Sequence, residues 1–163
     1  MAEDGECILK GVSLSGVDIN GTRKAIFVHP ICESALSSMS ADLPHCPATV
    51  QDAIDWIKAI RVVKFRELTR GFDLPRLGNL DWRLFQDGTG ATLRELSDSV
   101  VQMLDQVFDA LDIGYGTVDL LEDRDGSVYF LEVNPNGQWL WLEEESGWPL
   151  LHELANAFMA VAP

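Results

Sequence analysis

From residue 93 to 111 the apolar positions Leu93, Leu96, Val100, Leu104, Val107, Phe108 and Leu111 recur at three- and four-residue steps. That spacing is the mark of a helix with one buried face. Thr92-x-x-Glu95 offers a capping box for its start, and Gly114 marks its end. A second helix is predicted after Pro149, with Leu150, Leu154, Ala157, Phe158 and Val161 on one side. Between them the period changes. Two β-branched and aromatic runs within residues 115–133 flank Asp123-Arg124-Asp125-Gly126, which predicts a hairpin. The second run carries Phe130, Leu131 and Val133 around Glu132 and so reads as a buried strand.

Upstream the signal is thinner. Residues 7–10 and 24–30 read as short strands, 18–22 as a loop, and 33–45 as a short helix or loop. Residues 50–54 suit an extended edge, whereas 55–68 fit strand and helix templates equally. Residues 69–80 carry Gly71, Pro75, Gly78 and Asn79 and read as loop. After the hairpin an apolar stretch over 138–142 runs into Glu143, Glu144 and Glu145, taken as solvated.

The chemistry gathers at the end of the hairpin. Strand alternation puts Phe130, Glu132 and Asn134 on one face, with Tyr129, Leu131 and Val133 on the other. A turn symmetric about Arg124 and Asp125 would pair Asp119 with Phe130 and so place Asp119 on the face of Glu132. An odd loop or a bulge would reverse that relation. Two carboxylates and an amide oxygen at that range repel without a cation, and hard oxygen ligands of this kind suit Mg²⁺.

Composition narrows the partners. In 163 residues there are 12 Lys and Arg against 26 Asp and Glu, a net charge of −14. Such a surface repels nucleic-acid phosphates and anionic membranes, so neither is expected as a partner. A local cluster of cations still permits a nucleotide. Cys7, Cys32 and Cys46 form no metal spacing, and an odd count without a signal peptide predicts a reducing, cytoplasmic setting. No apolar run approaches the roughly 20 residues of a membrane helix. The length fits one domain or two closely associated lobes.

The segment FLEVNPNGQWLWLE resembles the signature of the ATP-grasp superfamily, and within it the ligases that mature ribosomal peptides of the microviridin type. The resemblance implies an α+β ATP-grasp fold: two lobes with a nucleotide between them, residues 1–50 an abbreviated N-terminal lobe, 51–56 the hinge and 57–163 the C-terminal lobe. It implies ATP and Mg²⁺, with Asp119, Glu132 and Asn134 as metal ligands. Lys10 stands where such enzymes carry a phosphate-contacting lysine. Pro47, Gln51 and Ile54 match the adenine-contacting hinge, in which Asp52 replaces the usual Glu, so Gln51, Asp52, Ala53 and Ile54 are the expected nucleotide contacts. Ala59-Ile60-Arg61-Val62-Val63 and Asp81-Trp82-Arg83 match further motifs, giving Arg61 and Arg83 as catalytic candidates that contact phosphate or an acyl phosphate. Ala59 departs from the pattern, which often has an acid there for the ribose; Asp55 is the nearest substitute.

The activity implied is ATP-dependent ligation of a carboxylate through an acyl phosphate, on a peptide, forming ester or amide cross-links. Two other readings stand beside it: a nucleotide-binding module without turnover, and a ligase that adds an amino acid to a carboxylate. The substrate expected is a peptide or a small carboxylate. The usual N-terminal domain is expected to be absent, which leaves three alternatives: a fragment, a degenerate relative, or a half whose missing domain a second chain supplies.

Overall fold

The computed structural model describes residues 7–11, 16–20, 22–25, 29–38, 48–74 and 90–161. These divide into two compact units, the described residues through Ile54 and those from Asp55 onward.

In the first unit β1 (Cys7–Gly11) is the centre of a three-stranded antiparallel sheet, flanked by β4 (His29–Ile31) and β5 (Ala48–Asp52). A separate hairpin joins β2 (Gly16–Ile19) to β3 (Thr22–Ala25). Asn20 takes a left-handed φ of 52° at its turn, a conformation asparagine tolerates better than most residues. The short helix α1 (Glu33–Ser38) follows β4.

The second unit is built on a five-stranded antiparallel sheet. In spatial order its strands are β10 (Val128–Asn134), β9 (Tyr115–Asp123), β6 (Trp56–Phe65), β7 (Leu68–Leu74) and β8 (Thr92–Arg94). The centre of this sheet resolves the ambiguity of 55–68. From Ala59 to Phe65 every residue of β6 is buried, because helices cover both faces. A strand covered on both sides has no reason to alternate, so its apolar run carries no period.

Helix α2 (Asp98–Leu111) lies on one face, packing Leu104 and Phe108 against Ile60 and Val62 of β6 and Val118 and Leu120 of β9. On this face Lys64 is almost fully buried and donates to Asp105 of α2 at 2.6 Å and to the Arg66 carbonyl at 2.7 Å. The other face carries the odd-numbered residues of β6. There α4 (Leu150–Ala160) stacks Phe158 on Phe65 with ring centroids 3.9 Å apart, and Arg70 of β7 clasps Glu153 through two hydrogen bonds of 2.8 and 2.9 Å. The short helix α3 (Leu140–Ser146) precedes α4 and buries Leu142.

Three expectations are corrected here. Residues 69–74 belong to β7 and are not a loop. Gly71 is a packing residue of that strand: a Cβ there would lie 2.7 Å from Leu96 Cδ2. The capping box does not start the helix either. Thr92 to Arg94 pair with β7, and Ser97 is the N-cap, so Leu93 is 42% exposed and off the helix. At the other end the helix stops at Asp112, in a left-handed conformation at φ 52°, ahead of Gly114. Finally, β10 is an edge strand with Tyr129, Phe130 and Leu131 all exposed by more than a third. Its apolar composition resembles that of a buried strand, but nothing among the described residues covers its outer side.

Candidate metal and nucleotide site

The hairpin register decides which side chains meet. Glu122 pairs with Val128, Leu121 with Tyr129 and Leu120 with Phe130, so the turn is centred on Asp125 and the loop is odd. Asp123 supports that turn, its carboxylate accepting from the backbone N–H groups of Asp125 and Ser127, each at 2.9 Å. An odd loop alone would set Asp119 opposite Leu131, on the wrong face. The register then shifts between Phe130 and Glu132, leaving Leu131 as the extra residue of a β-bulge, and Asp119 pairs directly with Glu132. Two one-residue shifts restore the parity. Asp119 and Glu132 therefore share a face, as expected, but by a different route. Phe130 does not share it, since the bulge turns Phe130 toward the side of Leu120.

Arg61 completes the row, pairing with Asp119 across β6 and β9. Arg61, Asp119 and Glu132 thus stand side by side on three neighbouring strands. Arg61 Nη1 donates to Asp119 Oδ1 at 2.5 Å, and Nη2 donates to the Gln138 carbonyl at 3.1 Å. Arg61 is 7% exposed and Asp119 8%, whereas Glu132 lies on the open edge strand. The expectation of a buried Glu132 is overturned.

Two residues further along, Asn134 shares the face of Glu132 and pairs with Thr117. Asn134 Oδ1 accepts from the Asn136 N–H at 2.9 Å, and the Asn134 carbonyl accepts from the Gly137 N–H at 3.2 Å. The first bond identifies Oδ1 as the carbonyl oxygen and fixes its direction, while its second lone pair is still available to a cation. Gly137 lies directly over Thr117: a Cβ on it would come within 1.7 Å of Thr117 Oγ1. Tyr115 donates from its hydroxyl to the Gly137 carbonyl at 3.4 Å. Burial pushes the Tyr115 phenol above its ordinary value, against opposing effects of Trp139 and Arg61, so it stays a neutral donor.

These residues fit a hard divalent cation. Mg²⁺ is commonly held by one or two carboxylates with the remaining positions left to water and phosphate, and two carboxylates with an oriented amide oxygen match that pattern. Among the described residues no group of three or more His, Cys, Asp and Glu side chains is arranged to hold a metal by itself.

Of the other predicted contacts, Lys10 and Gln51 to Ile54 belong to the first unit. Lys10 is near the end of β1, half-buried and paired with Thr49. Gln51 and Asp52 are exposed at the end of β5, with Gln51 opposite Ile8 and Asp52 opposite Cys7. Ala53 and Ile54 follow, half-buried and outside any strand. Among the described residues β5 is an edge strand. Arg83 and the Asp81-Trp82-Arg83 motif lie outside the described residues. Ala59 is buried between Leu74 and Leu121, and Asp55 sits at the surface with Arg124 at 3.3 Å.

Several participants escaped the sequence reading. The Gln138 carbonyl is a backbone group and has no sequence signal. Thr117 was legible only through its alternation with Asp119. Glu143 and Glu145 are not simply solvated: Glu143 accepts from the Leu151 N–H at 2.6 Å, joining α3 to the start of α4, and Glu145 accepts from the Ala91 N–H at 3.1 Å.

No protein-family model matches the chain, and no curated protein matches it. Solved structures do. The RiPP-associated ATP-grasp ligase of Chryseobacterium gregarium, in complex with ADP and a leader and core peptide, superposes with a TM-score of 0.82 at 21% identity, over 96% of this chain and 49% of that one. The fold is the ATP-grasp fold. The macrocyclase MdnC of Microcystis aeruginosa MRC, bound with precursor peptide MdnA, gives a TM-score of 0.79 at 19% identity, over 96% of this chain and 47% of that one. The ATP-grasp ligase PsnB, with minimal precursor, Mg and ADP, gives 0.72 at 17% identity, over 98% of this chain and 47% of that one. This chain spans about half the length of the ATP-grasp structures it matches.

Proposed function

We propose that this chain carries the nucleotide and metal chemistry of an ATP-dependent peptide ligase. The observation that supports it most is the row of Asp119 and Glu132 beside the oriented oxygen of Asn134, on an ATP-grasp fold whose solved neighbours hold ADP, Mg and precursor peptides. In this reading Asp119, Glu132 and Asn134 hold Mg²⁺, which offsets the charge that develops on the phosphates. Gln51, Asp52, Ala53 and Ile54 meet the adenine, the exposed edge of β5 offering its backbone groups. Lys10, Arg61 and Arg83 contact phosphate. The substrate carboxylate is phosphorylated by ATP, and a hydroxyl or amine of the peptide displaces phosphate to form an ester or amide. Such a site works by positioning and charge compensation, and requires no protein nucleophile. A second chain supplying further substrate-binding surface belongs to the same proposal.

Mg²⁺-dependent ADP release with a precursor peptide is the test, and Glu132→Gln is expected to lower it by about a hundred-fold or more, in line with the loss of a group that acts through the transition state. Loss of one water per bond in the peptide mass supports cross-linking; a gain of one amino-acid residue supports the amino-acid-adding alternative. Nucleotide binding without turnover on any carboxylate supports the non-catalytic module. No affinity for Mg²⁺–ATP at millimolar concentration removes all three.

A further inference from the structure

We infer that Arg61 is a resident counter-ion for Asp119, which keeps free divalent cations out of the site until a nucleotide brings one. The inference rests on the reading of Asp119, Glu132 and Asn134 as cation ligands. Its own evidence is the bond geometry. Arg61 Nη1 lies 2.5 Å from Asp119 Oδ1, and both residues are more than nine-tenths buried. A cation about 2.1 Å from that same oxygen would face the guanidinium at close range and in a poorly screened setting. Arg61 offsets part of the negative charge that Asp119 and Glu132 bring to the site. Oxygen sites lose cation affinity as their ligand charge falls.

Nucleotide phosphates change the balance, since they supply negative charge to both positive centres at once. Arg61 can then yield Asp119 to the cation and turn its planar donor fork toward phosphate, a geometry a guanidinium suits and an ammonium does not. The second arm of Arg61 gives the exchange a mechanical consequence. Nη2 holds the Gln138 carbonyl at 3.1 Å, in the segment that begins at Asn134. A shift of the guanidinium therefore strains or releases this bond to the segment that follows the proposed ligand Asn134. Arg61 acts here as a positioning residue for the cation as well as a phosphate contact.

The experiment is Mn²⁺ binding to the full chain without nucleotide, read by the paramagnetic resonance signal of free Mn²⁺, with circular dichroism to verify folding. Arg61→Gln removes the charge but keeps an amide donor, and is expected to tighten Mn²⁺ binding by about ten-fold or more through loss of the repulsion. Adding Glu132→Gln to that variant should abolish the gain. Arg61→Lys keeps the charge and is expected to stay within roughly three-fold of the unaltered protein, although its ammonium cannot reproduce the fork. Unchanged or weaker binding in Arg61→Gln overturns the inference, as does a gain in Arg61→Lys. If Arg61→Gln does not fold, Arg61→Lys alone carries the test, and a ten-fold gain there overturns it. A ligase that releases no ADP but shows the expected Mn²⁺ pattern would lose the proposed activity and keep the counter-ion; normal ADP release with no Mn²⁺ effect would do the reverse.

Discussion

Gly137 is constrained by its neighbour more than by its own backbone. The position of a Cβ on it is taken by the Thr117 hydroxyl, and Thr117 is completely buried, so that side chain has nowhere to go. Gly137→Ala is therefore expected to cost about 1–3 kcal/mol, the usual range for overpacking a filled site. Urea denaturation would measure the loss. Thr117→Ala in the same protein should recover part of it, because the closest contact is to the hydroxyl, and a double-mutant cycle would show the coupling. Asn134 is subject to a similar local control. Its side-chain oxygen is held by the N–H two residues on, which fixes the direction of the oxygen proposed to meet the cation.

At the level of elements, β10 and α4 are held by different means. The edge strand relies on pairing with β9 and on one bulge, while α4 is fastened to the sheet by the Arg70–Glu153 clasp and the Phe65–Phe158 stack. Arg70 holds the Glu153 carboxyl below its ordinary value, burial opposes this, and a bond from Trp148 Nε1 adds to the lowering. The sign follows. A carboxylate lowered in the folded state contributes stability above its unfolded value near 4.5, and that contribution fades as the pH falls through the folded value. Glu153→Gln is thus expected to destabilise the protein at pH 7 and to converge with the unaltered chain in acid, once the pH lies below the lowered folded value. Thermal melts across that range would test it. A constant difference between the two proteins at every pH would sink the linkage.

For the whole molecule the dominant electrostatic fact is an excess of 26 acidic over 12 basic residues. Repulsion among surface carboxylates works against compactness, and salt screens it with a Debye length of about 10 Å at 0.1 M. The melting temperature is expected to rise by a few degrees between 0.02 and 0.2 M NaCl, since screened repulsion outweighs the weakening of exposed pairs such as Lys58–Asp73 and Arg124–Asp55. A falling melting temperature over that range would mean that the ion pairs dominate. Among the described residues no helix is long and apolar enough to cross a membrane.

By itself the sequence determined the hairpin, both long helices in outline, and the family of folds, because a turn cluster, a 3.6-residue stripe and the Glu-x-Asn-Pro-x-Gly signature are local patterns. It also marked Asp119, Glu132, Asn134 and Arg61 as the residues to watch. What it could not determine was anything fixed by pairing between distant segments. β7 read as loop because Gly71 looks like a turn residue until Leu96, from a later segment, fills its place. β10 read as buried because composition does not reveal which strand ends at the edge of a sheet. The convergence of Asp119 and Glu132 depended on an odd turn and a bulge whose shifts offset one another, and a period-two pattern carries neither. Above all, only the tertiary structure brought Arg61 onto Asp119, 58 residues apart in the chain. A buried charge takes its partner from whichever strand lies beside it, and strand order belongs to the folded sheet rather than to any stretch of sequence.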